Sequence, residues 1–134
     1  MAFKSKQKII YPELSYNLIG IAFKVYNQLG YGYQEKYYQR AYEYELKKER
    51  VQFEKEKVVK INYDGKCIGR YFLDFIVENK IVVELKIASE FKYKYIRQVL
   101  EYLTETKVKL AILIYFTKEG VRYRRIVNPK INID

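Results

Sequence analysis

The residues best suited to chemistry lie in one stretch, Asp74-Phe-Ile-Val-Glu-Asn-Lys-Ile-Val-Val-Glu84-Leu-Lys86. It reads as two strands joined by a turn at Glu78-Asn79-Lys80. Side chains two apart on a strand share a face, so Glu84 and Lys86 are neighbours, as are Phe72, Asp74 and Ile76. Residues equidistant from Asn79 pair across the hairpin, which sets Asp74 opposite about Glu84. Two carboxylates and a lysine then converge on a patch flanked by Phe72, Ile76 and Val82. Facing carboxylates repel unless something positive stands between them. Oxygen ligands on adjacent strands suit a hard cation such as Mg²⁺, and a lysine beside them can orient or deprotonate a water. The alternative is a solvated hairpin face carrying an incidental salt-bridge network, and spacing alone leaves both open. Glu35 at the start of a helix could join the patch or serve the helix dipole alone. Gln98 and Tyr102, one turn apart on a later helix, share a face and could equally be an ordinary polar edge.

Composition narrows the chemistry. The 134 residues contain no His and one Cys. That excludes Ser/His/Asp and Cys/His triads, His-ligated zinc and histidine-based nuclease chemistry. Cys67 alone forms no internal disulfide, which fits a reducing compartment. The 26 Lys and Arg against 16 Asp and Glu give a net charge of +10, which suggests a polyanionic partner, with solubility as the plain alternative. The 16 tyrosines, interleaved with lysine as in Phe91-Lys92-Tyr93-Lys94-Tyr95, could stack on bases or line the core edge. The basic N-terminus is not followed by a signal-like apolar run, and no stretch reaches the ~18 apolar residues of a membrane span. A cytoplasmic location is expected.

The elements that must position these residues follow from periodicity. Pro12 opens a helix whose Leu14, Leu18, Ile21, Val25 and Leu29 form one stripe, with Gly30 as its stop. A second helix spans about Gln34 to Arg50, with Tyr38, Tyr42 and Leu46 on one face. Strands are expected over Val58–Tyr63, Cys67–Val77 and Ile81–Ile87, the first two joined by Asp64-Gly65. A helix over Glu90–Thr106 follows, with Ile96, Val99 and Leu103 inward. Leu110–Phe116 reads as a strand buried on both faces, and Arg122–Val127 as the last strand. The order is ααβββαββ, a single α/β domain over residues 1–134 with 1–11 as a basic leader. Its strand–helix–strand from Ile81 to Phe116 should be a right-handed parallel crossover.

These motifs resemble a known family. Gly32-Tyr-Gln-Glu35-Lys-Tyr-Tyr38 is similar to the signature of the GxxExxY proteins, a branch of the PD-(D/E)XK nuclease-like superfamily. Asp74 followed by Glu84-Leu85-Lys86 resembles that superfamily's acidic residue and E-x-K triplet, and Gln98-Val-Leu-Glu-Tyr102 its Gln-x-x-x-Tyr helix. The likeness runs in order from about Glu13 to Val127. Tyr26, Tyr31 and Tyr115 depart from it, standing where members often carry His, Pro and Asn.

The resemblance implies a restriction-endonuclease-like mixed β-sheet flanked by helices, and a Mg²⁺- or Mn²⁺-dependent nuclease that hydrolyses phosphodiester bonds of DNA or RNA. Asp74, Glu84 and the Leu85 carbonyl would hold the metal. Lys86 would be the catalytic lysine, Glu35 the helix-borne acid, and Gln98 with Tyr102 would orient water or phosphate. Tyr38, Lys92, Lys94, Arg97, Arg124 and Arg125 are expected to contact nucleic acid. The competing reading is a nucleic-acid-binding module of the same fold whose site does not turn over. A third, a protein-binding domain, would have to treat the +10 charge as mere solubility. No membrane is expected as a partner, and a homodimer is left open.

Overall fold

The computed structural model describes residues 10–88 and 92–130. The basic leader up to residue 9, and positions 90 and 91 of the expected third helix, lie outside them. Helix α1, Pro12–Leu29, has Pro12 in its first turn, where a missing N–H costs nothing. It ends at Gly30, whose N–H still donates to the Tyr26 carbonyl and whose positive φ of 70° then turns the chain out of the helix. Helix α2, Glu35–Lys48, buries Tyr38, Tyr42 and Leu46, as the periodicity predicts.

Five strands follow: β1 Phe53–Tyr63, β2 Lys66–Val77, β3 Ile81–Ile87, and, after α3 Tyr93–Glu105, β4 Leu110–Thr117 and β5 Gly120–Val127. They form one sheet in the order β1-β2-β3-β4-β5. Only β3 and β4 run parallel, joined through α3. This is the expected mixed sheet with helices on its faces. Asp64 and Gly65, both at positive φ, make the tight β1–β2 turn.

Helices α1 and α2 cover one face, packing Leu18, Val25, Tyr38 and Tyr42 on Phe75, Val83, Leu85 and Ile114. Helix α3 covers the other, with Val99 and Leu103 on Leu73, Val82 and Leu113. Every residue of β4 is buried, as a strand covered on both faces requires. Each fully buried Leu or Ile there contributes about 1.5–3 kcal/mol. Among the described residues no helix is long and apolar enough to cross a membrane.

Two expectations are corrected. Strand β1 begins at Phe53, five residues before Val58, because alternating Glu54-Lys55-Glu56-Lys57 suits an edge strand whose backbone needs only β2. Further, Phe72, Asp74 and Ile76 do not share an uninterrupted face. Leu73 and Ile76 both pack on the α3 side, Phe75 and Val77 on the α1–α2 side, and Phe72 is exposed. The alternation switches at Asp74. There the neighbouring strand carries Glu56 at φ 56°, between the pairs Lys55–Phe75 and Lys57–Leu73. A left-handed residue inside a strand turns the backbone and re-aims the side chains beside it.

Candidate active site

The β2–β3 ladder runs through Val77–Ile81 and Ile76–Val82 to Phe75–Val83, and the next pair would be Asp74 and Glu84. At that point side chains replace the backbone. The Asp74 N–H donates to Glu84 Oε1, and the Leu85 N–H donates to Asp74 Oδ2 at 2.8 Å. Beyond the pair, β2 continues along β1 while β3 continues along β4 to Ile87, so the strands fork. The carboxylates satisfy the N–H groups that the fork would otherwise orphan.

Helix α2 reaches this fork. The Gln39 amide donates to Asp74 Oδ1 at 2.9 Å and to Glu35 Oε2 at 3.2 Å, tying the helix-borne acid to the strand-borne one. Lys86 Nζ lies 3.6 Å from Glu84 Oε2 and 4.5 Å from the centre of the Tyr95 ring. Asp74, Glu84 and Lys86 therefore come together as the spacing suggested, and Glu35, which spacing left open, is tied to them through Gln39. Glu84 is 3% exposed. Burial pushes its carboxyl up to about 8, with the Asp74 charge adding to the effect and Lys86 opposing it. Burial likewise pushes Asp74 up to about 6, against the Leu85 N–H, with Glu35 reinforcing the rise. This cluster of acids is short of positive charge.

Other expected residues sit elsewhere. Tyr38 is fully buried, stacked 4.6 Å from Phe116, with its hydroxyl donating to the Gly30 carbonyl. It cannot touch a nucleic acid on the surface, so that expectation is corrected: the side chain is apolar enough for the core, and Gly30 satisfies its one polar atom. Gln98 shares a shallow cavity with Ile61, Tyr71, Lys94, Arg97 and Glu101, and its backbone carbonyl accepts the Tyr71 hydroxyl. Tyr102 packs beside the α3 core near Glu54 and Lys57. Neither is bonded to the carboxylates. Lys92, Lys94 and Arg97 are exposed at the start of α3. Arg124 and Arg125 lie on opposite faces of β5, and Arg125 Nε donates to the buried Ser15 hydroxyl at 2.8 Å. Of the unusual tyrosines, Tyr26 donates its hydroxyl to the Thr117 carbonyl at 2.6 Å and pins α1 to β4. Tyr115 is buried near Tyr95.

Sequence reasoning missed Gln39, Tyr95 and Tyr71. Gln39 stands four residues after Glu35, on the same helix face, so its contact with Asp74 was open to the helical spacing rule. Tyr71 lies near Glu84 and Glu101, and burial with those charges raises its hydroxyl pKa. Tyr95 stood out only as one ring of a lysine–tyrosine stretch, and its pairing with Lys86 gave no local signal because Lys86 belongs to β3.

Among the described residues no group of three acids is arranged to hold a metal ion, and Gln39 stands between Glu35 and Asp74. The donor chemistry nonetheless fits a hard cation. A carboxylate offers about four acceptor sites, and the bonds described leave Asp74 and Glu84 with capacity to spare.

No curated protein matches the chain significantly. Among solved structures, the crystal structure of SSO0001 is similar at 20% sequence identity, over 88% of this chain and 79% of that one, with a TM-score of 0.49. The family model of the PD-(D/E)XK nuclease superfamily matches residues 12–126, a span that takes in the forked strands, the acids of the fork and all three helices. The chain belongs to the PD-(D/E)XK nuclease superfamily.

Proposed function

We propose that this protein is a divalent-metal-dependent nuclease of the GxxExxY branch, hydrolysing phosphodiester bonds of DNA or RNA. The observation that carries the reading is the fork: the half-buried Asp74 and the buried Glu84 stand face to face, each holding an N–H of the other's strand, with Lys86 beside them. Two carboxylates that share one lysine leave negative charge in excess, which a bound cation would offset.

Asp74, Glu84 and the Leu85 carbonyl hold Mg²⁺ or Mn²⁺ in this reading. The ion, when bound, supplies Lewis-acid polarisation of the phosphate and lowers the pKa of water. Lys86 orients the attacking water and stabilises charge developing on the phosphorane oxygens. Glu35, carried by Gln39, receives a proton or orients a second water at the same face, and Gln98 and Tyr102 hold water or phosphate once substrate is bound. Lys92, Lys94, Arg97 and Arg124 hold the phosphate backbone, while Arg125, on the opposite face of β5 and bonded to Ser15, does not share that surface. The exposed free thiol of Cys67 fits a reducing compartment such as the cytoplasm.

A silent binding module is the second reading, favoured by one observation: protein donors already occupy both Asp74 oxygens. Incubation of a panel of labelled DNA and RNA substrates with Mg²⁺ or Mn²⁺ decides between them. Cutting that stops on chelation and in Lys86→Ala supports the nuclease. Binding without cutting under both metals supports the module.

A further inference from the structure

A cavity of about 280 Å³ opens between α2 and the β1–β2 hairpin, lined by Lys36, Gln39, Arg40, Lys55, Glu56 and Asp74, among others. It adjoins the acids directly, because the Gln39 amide that lines it bonds Asp74. Its cations differ in availability. Lys55 is engaged by Glu43 at 3.1 Å, and Glu43 is held in turn by Lys47 at 3.2 Å. Lys36 and Arg40 form no ion pair among the described residues and stand one helical turn apart at the rim. Between them in sequence lies Tyr37, 42% exposed, with Lys36 Nζ 5.3 Å and the Arg40 guanidinium carbon 5.6 Å from its ring centre, both over the ring, so that these flexible side chains must swing aside for a base to stack there. Tyr33, also exposed, meets that ring edge-on at 6.3 Å.

We infer that this rim docks an unpaired nucleotide strand, with Tyr37 stacking on a base while Lys36 and Arg40 hold the phosphates next to the cut. The inference deepens the nuclease reading and rests on it for what Asp74 does. Aromatic rings flanked by free cations are the common device for single strands, because any unpaired base offers a ring face and each linkage a charge. A duplex hides its base faces in the stack, so an exposed tyrosine face gains nothing from it. The cavity volume is close to the lower end of ligand sites, about 300 Å³, enough for one nucleotide-sized group. The substrate class is nucleic acid unpaired beside the scissile bond: single strands, flaps or loops.

The test uses the full chain carrying Lys86→Ala, in chelator, so that binding is read without cutting. Fluorescein-labelled DNA of about a dozen nucleotides, RNA of the same sequence and the corresponding DNA duplex are titrated by anisotropy. One of the single strands should bind at least about tenfold more tightly than the duplex. Tyr37→Ala should weaken that binding by roughly 5- to 100-fold and Tyr37→Phe by less than about twofold, since stacking survives in Phe. Lys36→Ala with Arg40→Ala should reduce the salt slope by about 1.4, at about 0.7 per phosphate on a single strand. Equal or tighter duplex binding, or an unchanged affinity in Tyr37→Ala, overturns the inference. The two readings fail separately. Metal-dependent cutting that ignores Tyr37→Ala removes the docking face and leaves the nuclease. Single-strand preference without cutting by the wild type removes the nuclease and leaves the docking face.

Discussion

Glu84 accepts the backbone N–H of Asp74, and Asp74 accepts the N–H of Leu85, the residue that follows Glu84. The two acids are therefore the terminal rung of the β2–β3 ladder, built from side chains. Their closeness is set by the sheet, so like charges stay together whether or not a cation is near. That fixes the sign of several measurable effects.

The first is a pH dependence. Both carboxyls are raised by burial, Asp74 to about 6 and Glu84 to about 8, from ordinary values near 4. The native protein then holds protons that the unfolded chain has released, so this contribution to stability is full below about pH 4 and lost as pH rises through 6 and 8. Metal-free protein should melt at progressively lower temperature between pH 5 and pH 8.5. A melting temperature that rises across that window in chelator would contradict the strained pair.

Removing one charge should relieve the strain. At pH 8 the metal-free Asp74→Asn protein should be as stable as wild type or more so, by about 0.5–2 kcal/mol. Asn can still accept the Leu85 N–H, and Gln39 can turn its amide to meet the new NH₂ group. The gain should shrink at pH 5, where Asp74 is largely protonated. Mg²⁺ or Mn²⁺ should raise the wild-type melting temperature through native-state binding, while Asp74→Asn and Glu84→Gln lose most of the rise. Equal responses in all three proteins would mean that these carboxylates hold no cation.

Tyr38 yields a prediction that separates scaffold from chemistry. Its ring stacks on Phe116 and its hydroxyl closes the α1–α2 connector onto the Gly30 carbonyl. Tyr38→Phe removes the donor to a half-buried carbonyl and should cost about 0.5–1.5 kcal/mol. The melting temperature should fall by several degrees, while the cutting rate per folded molecule stays within about twofold of wild type. A rate loss greater than tenfold at unchanged stability would assign the hydroxyl to the reaction instead.

The element order was legible because each element carried its own period. Leu18, Ile21 and Val25 mark α1, and the unbroken apolar run of β4 marks a strand covered on both faces. The facing of Asp74 and Glu84 was legible from the turn at Asn79, since register follows from turn position. Tyr38 was misread for a physical reason: composition cannot tell an exposed stacking ring from a core ring whose one polar atom finds a carbonyl. The switch of faces at Asp74 was hidden because it depends on Glu56 in the neighbouring strand. Tyr95 was hidden because it meets Lys86 only once α3 has folded back on β3.

That last contact gives the sharpest prediction for the chemistry. Lys86 has a flexible four-carbon stem, and its ammonium must be held if it is to orient a water. Glu84 holds it from one side at 3.6 Å, and the Tyr95 ring faces it at 4.5 Å. A cation over an aromatic face is worth about 0.5–2 kcal/mol, so losing the ring should slow the chemical step by roughly 2- to 30-fold. Tyr95→Leu keeps apolar volume against the α3 core and removes the ring face; Tyr95→Phe keeps both and removes only the hydroxyl. The expected pattern is a fall in kcat with little change in KM for Tyr95→Leu, and near-normal kcat for Tyr95→Phe. Steady-state kinetics on one cut substrate, with melting curves to correct for folded fraction, reads this directly. If Phe proves as damaging as Leu, the hydroxyl matters rather than the ring. If neither changes kcat, Lys86 is held by Glu84 alone and Tyr95 only packs.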